Sequence, residues 1–123
     1  MFKGKEVKIA LVGDAKKIYL DLKSVVDSEI KAGKKGTENQ KLLKSVNRVL
    51  TNLKDNPQFG VHISKKKIPS YYLEEFGARN LWKCNLFGFW RLIYWVDGLD
   101  VKIICFVLDV LDHKEYNKRF NYR

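Results

Sequence analysis

Lys83, Asn85 and Arg91 stand in two apolar runs, residues 80–86 and 89–96. In an extended chain successive side chains point to opposite faces. Trp82, Cys84 and Leu86 then share one face with Trp90, Leu92, Tyr94 and Val96. The other face collects Leu81, Lys83, Asn85, Arg91, Ile93 and Trp95. Cations set among flat rings suit a nucleic acid, because cations neutralise phosphates and rings stack on bases. The same pattern also fits an antiparallel sheet with one solvated face, on which Lys83 and Arg91 simply meet water. His113 follows the last apolar run; imidazole is the side chain that changes charge nearest neutral pH, so it is the natural acid/base group. Lys65-Lys66-Lys67 is a basic run that can hold phosphates without reading sequence, or can be an ordinary solvated loop. His62, His113, Cys84 and Cys105 show no metal-ligand spacing, and Glu74-Glu75 is the one acidic pair near the basic run.

Those residues need a scaffold. At 123 residues the chain is bounded to one domain, 1–123, and with 46% hydrophobic residues it is not disordered along its length. The longest apolar run, Val101 to Val110, is broken by Lys102 and Asp109 and falls short of the ~20 residues that span a bilayer. The start, Met1 to Glu6, is charged, unlike a signal peptide. The expectation is a cytoplasmic protein with no membrane contact, no metal and no cofactor. Its formal net charge is +10, with 13 basic against 7 acidic residues in 1–60 and 11 against 7 in 61–123. The positive charge therefore belongs to the folded body. It favours a polyanion, although solubility or an acidic protein partner would draw on the same charge.

Glu6 to Val12 is rich in β-branched residues and predicts a strand, with Asp14 capping the helix that follows. Ile18, Leu22, Val25, Val26 and Ile30 give that helix its apolar spacing. Gly33-Lys34-Lys35-Gly36 breaks it. Thr37 and Gln40 form a capping-box pattern before a second helix with Leu42, Leu43, Val46, Val49, Leu50 and Leu53, which Asn56-Pro57 stops. Phe59 to Ile63 reads as a short extended piece and Ser70 to Phe76 as a helical turn. Asn80 to Leu86, Phe89 to Val96 and Val101 to Val110 read as strands, the last two joined at Asp97-Gly98-Leu99-Asp100. Asp112 to Arg123 reads as a short helix or extension. The expected fold is α+β in two layers: an N-terminal strand, a helical hairpin, and a three-stranded antiparallel meander completing a four-stranded sheet, with its second face uncovered.

This order resembles the RelE/ParE toxin superfamily. Three short motifs carry the resemblance: Leu53 to Pro57 (LKDNP), Arg91 to Val96 (RLIYWV), and Val110 to Tyr116 (VLDHKEY). It implies the toxin of a type II toxin–antitoxin pair, cleaving mRNA on the ribosome by attack of an internal 2′-hydroxyl. The alternatives are a ParE-like, non-enzymatic inhibitor of gyrase or another protein, and a degenerate RNA-binding relative. Carried over by position, Arg91 contacts the scissile phosphate, Lys83 matches one of two lysines, His113 stands where the family has arginine or histidine, and Tyr116 is the terminal tyrosine that stacks on a base. Lys83 is then a candidate base and Arg91 the group that stabilises the transition-state phosphate. Lys65, Lys66, Lys67, Asn85, Trp95 and Lys114 become RNA contacts. Asn85 replaces the second lysine, Leu111 the usual glycine, and residues 60–77 form a segment longer than many relatives carry. The implied partners are mRNA, the ribosome and a small cognate antitoxin, acidic where it binds.

Overall fold

The computed structural model describes residues 2–99 and 101–121. Asp100 of the expected 97–100 turn and the last two residues of the expected C-terminal element lie outside the described residues. The strands are β1 (Glu6–Leu11), β2 (Val61–His62), β3 (Trp82–Asn85), β4 (Arg91–Gly98) and β5 (Lys102–Leu111). They form one mixed sheet in the order β1-β5-β4-β3-β2. As expected, β1 joins at the edge, here parallel to β5, and β3, β4 and β5 run antiparallel.

The expected four-stranded sheet is corrected to five strands. Val61 and His62 pair with Lys83 and Trp82. The chain before them is stitched down by Tyr94, whose hydroxyl donates to the Pro57 carbonyl at 2.8 Å and accepts from the Gly60 N–H at 2.9 Å. Gly60 fits there because it lacks a side chain: a Cβ would lie 2.7 Å from the Lys83 carbonyl oxygen and 2.9 Å from the Tyr94 ring.

Helices α1 (Gly13–Lys31) and α2 (Glu38–Asp55) cover one face. Asp14 does not cap α1; the cap position falls on Val12, without a side-chain hydrogen bond, and Asp14 sits in the first turn where its charge suits the helix dipole. Thr37 caps α2 as expected, accepting from the Gln40 N–H at 3.1 Å. Gln40 reaches back one residue before the cap, its Oε1 accepting from the Gly36 N–H at 2.9 Å and its Nε2 donating to the Lys34 carbonyl at 3.0 Å. Val7, Leu22, Val26, Leu42, Val46, Val49, Leu53, Cys84, Leu92, Tyr94, Cys105 and Val107 make the core beneath these helices, on the sheet face that alternation assigns to β3 and β4.

The second face is not uncovered. Helices α3 (Ser70–Phe76) and α4 (His113–Arg119), with the 3₁₀ turn Lys65–Lys67, close over it. Ile63, Tyr72, Ala78, Leu81, Ile93, Trp95, Leu108, Leu111, Tyr116 and Phe120 form a second core, so the two expected layers become three. The reason lies in the chain between the second helix and β3: Ile63, Ile68, Tyr71, Tyr72 and Phe76 are too apolar to be left as a solvated loop.

The β4–β5 register slips once. Ile93 opposes Asp109 and Tyr94 opposes Val107, leaving Leu108 as the extra residue of a bulge. Val107 faces the first core, and both Leu108 and Asp109 face the second layer.

Two measurements test this packing. Gly60→Ala is expected to lower stability by about 1–3 kcal/mol through overpacking against β3, read as a lowered urea midpoint. Burial pushes the Cys84 and Cys105 thiols up to about 12. The folded chain therefore keeps protons that the unfolded chain sheds above ~8.5, so stability is complete below that pH and falls as pH rises toward about 12. Native protein is expected to resist iodoacetamide at about pH 8, and urea-unfolded protein to be alkylated at both cysteines.

Candidate functional site

Asp112 caps α4, its carboxylate accepting from the Glu115 N–H at 2.8 Å. His113, Tyr116 and Asn117 then fall on one helical face at i, i+3 and i+4. Tyr116 points into the second core, 4% exposed, and stacks on Phe120 with ring centroids 4.6 Å apart. Two sheet cations converge on it. The Lys83 ammonium donates to the Tyr116 hydroxyl at 3.0 Å and lies 5.4 Å from the ring centroid. The Arg91 guanidinium lies 5.5 Å from the same centroid and donates to the Trp90 carbonyl at 3.1 Å.

Register explains the convergence. Lys83 opposes Ile93 and Arg91 opposes Asn85, so the two cations are diagonal neighbours on adjacent strands, a geometry with side-chain origins ~7–8 Å apart. The negative face of the tyrosine ring offsets part of their mutual repulsion. Among the described residues neither cation has a carboxylate within ion-pair distance; the ion pairs are Arg79 with Asp97 and Arg119 with Asp109. Asn85 is exposed beside Arg91. His113 is exposed one turn before Tyr116, its Nε2 3.2 Å from the Asn117 amide nitrogen and its ring 6.1 Å from that of Phe89.

The fold thus brings Lys83, Asn85, Arg91 and Tyr116 together, with His113 on the same helix as Tyr116. Such a cluster can hold an anion between two cations, and the His113 imidazole, one helical turn from Tyr116, is a group able to move a proton.

The remaining sites expected from sequence are placed elsewhere. Trp95 is not an open stacking surface: it is 8% exposed, stacked on Phe106 at 5.4 Å, with the Arg79 guanidinium 5.9 Å from its centroid. The second layer that covers it was not visible in strand alternation. Lys65, Lys66 and Lys67 are exposed on their 3₁₀ turn. Lys66 and Lys67 border a surface depression with Arg119 and Phe120, at the opposite end of α4 from His113. Lys114 is exposed on α4, and Glu74 and Glu75 are exposed on α3. Among the described residues no group of three His, Cys, Asp or Glu is placed to hold a metal ion, and no helix is long and apolar enough to cross a membrane.

Sequence reasoning missed what holds α4. Asp109, 1% exposed, accepts from Arg119 at 2.9 Å and from the Tyr72 hydroxyl. Arg119 packs its guanidinium 4.0 Å from the Tyr71 ring centroid and 3.5 Å from the Tyr72 hydroxyl. Burial raises the Asp109 carboxyl above the ordinary range and outweighs the Tyr72 hydrogen bond and the Arg119 charge, which pull it down. The network ties β5, α3 and α4 at one point. A signal existed: Asp109 is the one acidic residue of a ten-residue strand that is apolar from Ile103 to Leu108, and it stands three positions ahead of a helix cap.

No family model, curated protein or solved structure matches the chain.

Arg119→Ala strands a buried carboxylate and is expected to cost about 3–5 kcal/mol in urea unfolding. Asp109→Asn keeps an acceptor for both partners and is expected to cost less than Asp109→Ala.

Proposed function

We propose that this domain is the endoribonuclease toxin of a toxin–antitoxin pair, of RelE type, acting on mRNA in the ribosome. The observation that carries the reading is the meeting of Lys83 and Arg91 on Tyr116, with His113 on the same short helix. In the proposed reaction an RNA 2′-hydroxyl attacks the neighbouring phosphorus and the 5′-oxygen leaves, giving a 2′,3′-cyclic phosphate and a 5′-hydroxyl. Negative charge grows on the non-bridging oxygens, where Arg91 and Lys83 offer charge-assisted hydrogen bonds. The 2′-hydroxyl loses a proton and the 5′-oxygen gains one; His113 is the group on this face suited to that transfer. Tyr116 holds Lys83 rather than stacking on a base, since its ring lies inside the second core. Exposed Lys65, Lys66, Lys67 and Lys114 would position the backbone of ribosomal RNA or mRNA. The proposed antitoxin is acidic where it meets this basic body.

Two observations favour a second reading. Tyr116 is buried and Asn85 brings no charge, whereas a ParE-like protein that blocks gyrase or another protein without catalysis needs neither group for chemistry.

Induced expression separates the two. Wild type is expected to arrest growth and cut mRNA on translating ribosomes, and the Arg91→Ala/His113→Gln double variant, folded by circular dichroism, to lose cleavage by about 10²-fold or more. Growth arrest without cleavage would establish the inhibitor instead.

A further inference from the structure

Between β3 and β4 the chain turns through Phe87-Gly88-Phe89. Gly88 and Phe89 both take left-handed backbone, with φ of 69° and 64°. Glycine adopts that conformation freely; a bulky side chain does so at a cost. The turn is closed by a hydrogen bond from the Leu86 N–H to the Trp90 carbonyl at 2.8 Å. A second such bond, from the Trp90 N–H to the Phe87 carbonyl, spans 3.4 Å. Turns with two successive positive φ values ordinarily carry asparagine, aspartate or glycine.

Here a phenylalanine occupies the strained position and holds its ring out in water, 71% exposed. Neither backbone preference nor core packing accounts for it. Its surroundings do offer a use. The ring lies 6.1 Å from that of His113, and Arg91 follows two residues on. Phe89 also lines a cleft of about 430 Å³ with Phe87, Trp90, Leu42, Glu38 and Asn39.

We propose that Phe89 is a nucleobase-stacking residue. The nucleotide next to the phosphate held by Lys83 and Arg91 lays its base on Phe89 beside His113, with the cleft receiving the base's far edge. Stacking on a ring uses the π-face that every base has, so the preferred ligand is single-stranded and the contact tolerates sequence. The inference rests on reading the Lys83–Arg91 cluster as an RNA contact. It adds a residue that the sequence motifs do not mark, and it assigns the strained turn a purpose.

The test is binding of a 2′-fluoro single-stranded RNA, which its own ribose cannot cut, measured by fluorescence anisotropy over a salt series. Wild type is compared with Phe89→Ala, Phe89→Leu, Phe89→Trp, Phe89→Gly and Lys83→Ala/Arg91→Ala. Phe89→Ala and Phe89→Leu are expected to bind about tenfold or more weakly with the salt slope unchanged, and Phe89→Trp to bind as wild type does. Phe89→Gly is expected to melt higher while binding as weakly as Phe89→Ala, because relief of the backbone and loss of the ring act separately. The double lysine–arginine variant is expected to lose affinity and flatten the salt slope. If Phe89→Ala or Phe89→Leu binds as tightly as wild type while the double variant binds weakly, the stacking role is overturned and the cationic cluster stands. If wild type does not bind, or the double variant keeps wild-type affinity and slope, the RNA reading falls and the stacking role with it.

Discussion

Leu108 is passed over in the β4–β5 register, and the arrangement of the second layer follows from that extra residue. Strict alternation from Ile103, Cys105 and Val107 would send Asp109 into the apolar core beneath α1 and α2. A carboxylate there would have no cation and a large desolvation cost. The bulge turns Asp109 to the opposite face, where Arg119 and Tyr72 satisfy it, and returns Val110 to the first core. One inserted residue therefore resolves a conflict between an apolar strand and an acidic side chain.

From that anchor the site can be traced outward. Arg119 on Asp109 fixes the C-terminal end of α4, and Asp112 fixes its start. Between the two ends, Tyr116 is set over the sheet at the level of Lys83 and Arg91. A seven-residue helix has little stability of its own, so its position depends on these tertiary ties and on the Tyr116–Phe120 stack. The cations are positioned by strand register and the imidazole by a helix. The relation between them is maintained by an ion pair that touches neither.

Much of this was legible in the chain. Element order, the Thr37 cap, the helical hairpin and the faces of β3 and β4 follow from periodicity and turn chemistry, which are local. The third layer was not legible, because nothing local says that Tyr72 and Phe76 fold back onto Ile93 and Trp95. The same blindness made Trp95 look like an open ring and β2 look like a loose extended piece. Its pairing needs Gly60 to pass against Lys83 and Tyr94, a contact between distant residues. Of the site, Lys83, Arg91, His113 and Tyr116 were marked by type and motif. Asp109, Arg119 and Phe89 were not, since a bulge, a helix end and a strained turn become visible when the backbone is in place.

The parallel pairing of β1 with β5 has a bearing on how the molecule comes into being. Val7 sits against Ile103, so β1, the first strand of this sheet, has no strand neighbour until β5, the last strand of the sheet, emerges. Hairpins such as β3–β4 can close at once, whereas this non-local pairing must wait and bears the larger loop-closure cost. During elongation β1 is an unpaired edge beside a partly formed hydrophobic face, open to misassociation. The cationic cluster is likewise incomplete until α4 follows β5. Assembly of the site therefore waits for α4, and a growing chain carries Lys83 and Arg91 well before it carries the groups that organise them.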